Sequence, residues 1–236
     1  MNFPTTHWSL LARATLNNDP AGRQALGEFH RKYRKPIVAF LHRRGLPPHD
    51  AEDLAQGFFV HLMEKATLRR ADATRGRFRS FLLGALVRHL VQDRVQRDAA
   101  KRGGGVTPVS LDTMADGTAE LAVGPAELLA YDRDWAMELL QRALDSVTGE
   151  FRQRGRDADF VVLRAYLPGS MPPVPSYEES AARLGLGLGA FKTEVHRLRA
   201  RLRELLRREI ASTVSSPEEI DDEVAYLGRV LQSSTP

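Results

Sequence analysis

The chain has 236 residues, a hydrophobic share of 42% and a formal net charge of +4, enough apolar material for one large domain or two small ones with a real core. It has no cysteine, which excludes disulfides and cysteine-based zinc sites and fits a reducing interior. The longest apolar run, Phe81–Val87, is far too short to cross a bilayer, and the opening MNFPTTHWSLL lacks the basic start and apolar core of a secretory signal, so the expectation is a soluble, cytoplasmic protein with no membrane partner.

Alternating β-branched runs are absent while helical periodicity recurs, so the expected class is all-α. The expected organisation is a helical domain over 20–102, a flexible acidic linker over 103–124, a second helical domain over 125–213 and an acidic extension over 214–236. Pro47–Pro48 punctuates the first block. Asp50 reads as the N-cap of the helix that follows, with Asp53 as a capping-box-like partner. In Asp50–Lys65, Ala51, Leu54, Ala55, Phe58, Phe59 and Leu62 form the buried side, while Asp50, Asp53, Gln56, Gly57, Val60 and Glu64 face outward. Such an acidic face with one exposed valine either docks on a basic partner helix or is simply solvated.

The next helix, Phe78–Arg97, is apolar nearly all round between Phe81 and Val91, so it is central to its bundle. Its far end turns basic, with Arg88, His89, Gln92, Arg94 and Arg97 followed by Lys101 and Arg102. The loop before it packs Arg75, Arg77 and Arg79 around Phe78. Arginines interleaved with an aromatic suit single-stranded DNA, where guanidinium groups meet phosphates and a ring meets an unstacked base. Phe78 is equally a candidate for the core, and Phe81 reads as core.

The connector is rich in Gly, Thr, Asp and Pro and reads as extended. The second block starts near Pro125 and continues through Trp135–Val147 and Phe160–Tyr166, and Pro168–Pro175 forms a loop before SYEESAARLGLGLGAFKTEVHRLRARLRELLRR, Ser176–Arg208. This stretch reads as two helices around a glycine turn. Phe191, Val195, Leu198, Leu202, Leu205 and Leu206 recur at helical spacing as one stripe, with Leu184 packed against it, and Lys192, Thr193, His196, Arg197, Ala200 and Arg203 lie opposite. Gly185 suits a helix end, where a left-handed backbone is cheap for glycine. The layout is that of a helix-turn-helix whose second helix enters the major groove; the alternative is a solvated basic surface on an ordinary helix pair. The tail SSPEEIDDEVAYLGRVL suggests a short acidic helix with Ile220, Val224, Leu227 and Leu231 on one side.

Charge is spread unevenly. Arg69–Arg102 holds ten Lys/Arg against three Asp/Glu, Arg183–Arg208 eight against two, and Asp112–Asp134 between them six acids and one base. Two basic blocks around an acidic connector suggest two contacts with a polyanion. An enzyme is not expected. The chain has no HExxH motif, no phosphate loop and no cysteine nucleophile, and its seven histidines are scattered without ligand spacing, so no metal or other cofactor is implied.

DAEDLAQGFF, then RGRFRSFLLGALVRHLVQDRVQRDAAKRGGG, then the helix-turn-helix with KTEVHRLRARLRELL, resembles a bacterial RNA polymerase sigma factor of the extracytoplasmic-function (ECF) group of the sigma-70 family. The resemblance covers about residues 20–102 as region two and 130–210 as region four. FPTTHWSLL, KRGGG and PEEIDDEVAYL look like a divergent subgroup found in bacteria rich in Ser/Thr kinases.

The resemblance implies a sigma factor that binds core RNA polymerase and directs promoter recognition, melting and transcription initiation. It implies contact of Asp50, Asp53, Gln56 and Val60 with the clamp helices of the β′ subunit, with the β subunit as a further partner, and a connector running through the active-site and RNA-exit channels of the core, its acidic residues resembling RNA in charge. Minus-ten DNA would meet Arg75, Arg77, Phe78, Arg79, Arg88, His89, Gln92, Asp93, Arg94 and Arg97. The duplex minus-thirty-five element would meet Ala190, Lys192, Thr193, His196, Arg197 and Arg203. An anti-sigma factor or a Ser/Thr kinase is a candidate regulator.

The sequence departs from the family pattern at three places. Gly57 replaces a usual Glu, Glu194 stands where a basic or small residue is common, and His89 lies near a usual Asn. The weakened acidic patch suggests that phosphorylation of Thr67 restores charge for polymerase binding. Two other readings remain at this stage: a stand-alone helix-turn-helix regulator, and a helical adaptor in a kinase pathway. The tail either packs on region four or covers a basic DNA-binding face.

Overall fold

The computed structural model describes residues 20–62, 77–101, 123–170, 172–214 and 216–233. Among the described residues there are helices and no strands: α1 Pro20–Arg43, α2 Pro48–Leu62, α3 Phe78–Lys101, α4 Pro125–Gln153, α5 Asp157–Leu163 with a 3-10 turn Arg164–Tyr166, α6 Tyr177–Arg183, α7 Leu188–Ala211 and α8 Glu219–Gln232. The all-α class expected from the periodicity is the one found. The connector from 102 to 122, the loop from 63 to 76 (with Arg75 and Thr67) and Glu64 lie outside the described residues.

The chain divides into two compact units, Met1–Glu138 with Ala211–Pro236, and Leu139–Ile210. The sequence boundaries assign 125–138 to the second domain and leave the tail as an appendage; the structure groups both with the first unit. In that unit α1 supplies Phe29, Tyr33, Ile37, Phe40 and Leu41, α2 its whole apolar stripe, and α3 Phe78, Leu82, Leu86 and Leu90, all buried. The first part of α4 adds Tyr131 and Trp135, and Trp135 stacks on Tyr33 at 4.8 Å between ring centroids. Ion pairs Arg43–Asp134 at 2.6 Å and Lys35–Glu138 at 2.8 Å flank this apolar contact.

Asp50 is not the N-cap of α2, because the helix begins two residues earlier at Pro48. Proline at the first helical position wastes no hydrogen bond and brings its own helical φ. Asp50 therefore sits in the first turn, where its charge suits the positive end of the helix, and Asp53 pairs with His49 at 3.0 Å.

The second unit packs Val147 of α4, Phe160 and Leu163 of α5, Tyr166, and Phe191, Val195, Leu198 and Leu202 of α7 into one core. Ser176 caps α6: its hydroxyl accepts from the Glu179 amide at 3.1 Å, and the Glu179 carboxylate accepts the Ser176 amide at 3.1 Å. This reciprocal capping box satisfies two donors that the helix start would otherwise orphan. The far end of α6 closes as a Schellman motif, with Leu186 N–H bonded to Ala181 O at 2.9 Å, Gly185 N–H to Ala182 O at 3.1 Å, and Gly185 at φ +64°.

Candidate nucleic-acid interface

In the second unit, the apolar stripe read from the sequence is the buried side of α7, and Leu184 packs against that core. Ala190, Lys192, Thr193, His196, Arg197 and Arg203 are all exposed. Lys192, His196, Arg199 and Arg203 line a cleft of about 310 Å³ whose floor includes Tyr177 and Val195. Not every base on the helix is available. Arg199 donates twice to the Tyr166 carbonyl, at 2.8 and 2.6 Å, Arg201 pairs with Glu150 and Glu204, and Arg208 pairs with Glu204. Of the basic side chains on α7, Lys192, His196 and Arg203 have no side-chain partner among the described residues, and Arg197 keeps 73% of its side chain in solvent.

Glu194, which would repel a phosphate, is largely neutralised. Its carboxylate meets Arg156 at 2.8 Å and Arg197 at 3.1 Å, and its side chain is 18% exposed. The hydrogen bond from Arg156 holds the carboxyl below the ordinary range against the effect of partial burial, with Arg197 adding to it. Tyr166 completes the support: its hydroxyl bonds Ser180 Oγ at 2.7 Å and the Pro175 and Ser176 carbonyls at 2.9 Å, tying the entry of α6 to the floor under α7.

In the first unit, two sequence expectations need correction. Phe78 is fully buried, packed edge-on to Phe29 at 5.8 Å and tilted against Tyr33 at 5.5 Å, so it is a core residue and not a platform for a base. Arg79 is 4% exposed; its Nε donates to Asp132 Oδ1 at 2.8 Å and its Nη1 pairs with Glu223. A guanidinium spent on two buried carboxylates has no donor fork left for DNA. Arg77, unlike Arg79, stays partly open, at 36% exposure, and its Nε lies 2.8 Å from Glu223 Oε2. Asp132, Glu223 and Tyr226, which complete this cluster, were not candidates from the sequence. The signal that could have found Glu223 is a carboxylate in line with Leu227 and Val230, the buried stripe of α8. That stripe differs from the expected one: Ile220, Val224 and Leu231 are only half-buried.

Along α3, Arg94 and Arg97 are exposed, and Arg88, His89, Gln92 and Asp93 are half-buried. Asp93 pairs with Arg97 at 2.7 Å. His89 stacks on His61 at 5.3 Å and leans on Phe58 at 5.8 Å. A side chain begun at Gly57 would meet His89 Nε2 at 3.6 Å, so two of the three departures from the family pattern face each other across α2 and α3. On the outer side of α2, Asp53, Gln56 and Val60 are exposed, Val60 to 62%, while Asp50 is half-buried. Among the described residues no His/Cys/Asp/Glu group is arranged to hold a metal, and no helix is long and apolar enough to cross a membrane.

Comparison with known proteins fits this geometry. Residues 29–101 match the family model of sigma-70 region 2. Over 198 residues the chain is 27% identical to the ECF RNA polymerase sigma factor SigE of Mycolicibacterium smegmatis, an alignment covering 84% of this chain and 68% of that protein. No solved structure matches.

Proposed function

We infer that the chain belongs to the ECF group of the sigma-70 family, and its role follows from that membership: it is a sigma factor that binds core RNA polymerase and promoter DNA and directs transcription initiation. The observation that carries this reading is the match of α1 to α3 to sigma-70 region 2 in a chain that also bears a helix-turn-helix with an open cationic face. A stand-alone regulator or a kinase adaptor would need no region-two block. The chain acts as a dissociable subunit without catalysis or cofactor of its own, in the cytoplasm where polymerase works.

In finer terms, the outer face of α2, with Asp53, Gln56 and Val60 exposed and Asp50 beside them, docks on the β′ clamp helices. Such a face offers carboxylates to basic partners around one apolar contact. The connector runs through the active-site and RNA-exit channels of the core. Helix α7 enters the major groove at the minus-thirty-five element, with Lys192 and Arg203 gripping phosphates and Thr193, His196 and Arg197 reaching base edges from a helix surface that begins at Ala190. Salt-sensitive grip and base discrimination are then separate jobs. Arg77 and the exposed end of α3, Arg88 to Arg97 with His89, Gln92, Asp93 and Arg94, meet the minus-ten segment, along with Arg75 in the preceding loop. Opening that segment costs stacking energy on the order of 1.4 kcal/mol per step, and capture of phosphates and unstacked bases offsets it. An anti-sigma factor, or a kinase acting at Thr67, is the candidate regulator. Pull-down of the full chain with β′ clamp helices tests the docking face: Asp53→Arg together with Val60→Asp abolishes capture on this account, and undiminished capture refutes it.

A further inference from the structure

The family model stops at residue 101, yet α8, more than a hundred residues later, belongs to the same compact unit. It is anchored there by charge as well as by apolar packing. Glu223 is 1% exposed and meets Arg77 and Arg79 together. Asp132 accepts from Arg79 and from the Tyr226 hydroxyl. The Tyr226 ring lies under both guanidinium groups, at 5.3 Å from Arg77 and 4.7 Å from Arg79. Just before α8, the Thr213 carbonyl accepts the backbone N–H of Phe78 at 3.3 Å.

Two cations and two anions balance in this cluster, so no charge is stranded while the helix stays in place. Releasing α8 would leave Arg79 and Asp132 buried with half their partners, which disfavours a tail that swings away during each initiation event. The consequence falls on Arg77. Its Nε lies 2.8 Å from Glu223 Oε2 as an ionic contact and its guanidinium lies over the Tyr226 ring, while 36% of its side chain stays in solvent. A planar guanidinium drawn to one carboxylate and resting on one ring is restrained in direction, and ordering it beforehand lowers the cost of using it.

We propose that α8 is a working part of the promoter-opening unit, with Glu223 a positioning residue that aims Arg77 at the melted DNA strand. This rests on the sigma-factor reading above. It is also opposite in sign to a tail that masks DNA-binding charge. Glu223 is an anion next to a DNA-facing cation, so by charge alone Glu223→Gln should tighten DNA binding; by positioning it should weaken it.

The test uses full-length chain assembled with core polymerase on a promoter selected from a random library by the wild-type holoenzyme, offered with its opened segment already unpaired. Arg77→Ala weakens binding about tenfold, the loss of one good polar contact. Glu223→Gln weakens it by a similar factor, and the double variant binds no worse than Arg77→Ala. Equal losses from Glu223→Gln in both backgrounds mean a merely structural role and overturn the proposal, as does tighter binding by Glu223→Gln. Should Glu223→Gln fail to fold, Tyr226→Leu replaces it in the same cycle and decides in the same way. A wild-type holoenzyme that selects no promoter removes the sigma-factor reading along with this one, whereas selection followed by additive losses removes this one alone.

Discussion

Replacing Arg79 separates a buried structural cation from a DNA contact more sharply than any other single change. Arg79→Ala deletes the guanidinium that joins Asp132 to Glu223. Glu223 keeps Arg77 at 2.8 Å, but Asp132, 4% exposed, is left with the Tyr226 hydroxyl. Breaking a buried pair by removing one partner costs about 3–5 kcal/mol, because a charge remains without compensation, a large share of the roughly 5–15 kcal/mol that holds a typical domain. Arg79→Lys keeps the charge but cannot reach two carboxylates with one fork, so its loss falls between Ala and wild type. The assay is urea unfolding in a Trp8→Phe background, so that Trp135, buried in the first unit beside Tyr33, is the only reporter. A stability loss below about 1 kcal/mol for Arg79→Ala, the usual ceiling for exposed ion pairs, accompanied by weaker DNA binding would refute the burial argument and restore Arg79 to the DNA surface.

Other consequences are equally direct. Ser176→Ala removes the N-cap hydroxyl of α6 and costs about 1 kcal/mol, read as a lower midpoint for unfolding of the second unit and weaker duplex binding; an unchanged midpoint contradicts the capping box. Arg197→Ala flattens discrimination at one base pair of the minus-thirty-five element by about 1–3 kcal/mol, whereas Lys192→Ala weakens all sequences alike and lowers the salt slope by about 0.9; competition binding at several salt concentrations distinguishes the two, and identical behaviour counts against the division. His30, packed edge-on to Phe59 at 4.7 Å, titrates below its ordinary 6.5, chiefly through burial and then through Arg34. Its neutral form is therefore favoured by folding, and its contribution is complete above pH 6.5 and declines as pH falls below it, because the unfolded chain takes up the proton first. His30→Gln flattens the stability profile between pH 7 and 5, and an unaltered profile contradicts the assignment.

Helix α7 was legible because everything that defines it is local. A stripe at helical spacing from Phe191 to Leu202 can be buried on one side only, and the opposite residues are exposed as a result. Gly185 was legible for a similar reason, since its positive φ belongs to a turn a few residues long. The Arg77–Phe78–Arg79 triplet was misread because its partners are remote. Asp132 lies 53 positions from Arg79 and Glu223 lies 144, and an arginine facing a distant carboxylate looks the same in sequence as one facing solvent. The register of α3 held the missing clue: Phe78 shares a face with Leu82 and Leu86, all fully buried. For α8, five acids among the residues 215–226 suggested a helix packed on region four or masking a DNA-binding face, and only the fold shows that Glu223 is turned inward against the first unit. Glu194 was read as a liability because Arg156, 38 positions away, could not be paired with it from sequence.

Transcription from a random promoter library by core polymerase, with and without the full chain, bears most directly on the central claim. The account predicts transcripts that depend on the added chain and arise from templates sharing two short upstream motifs, spaced for one module on duplex DNA and another on the opened strand. RNA synthesis that is the same with and without the chain, together with failure of the chain to co-elute with core polymerase, would contradict it.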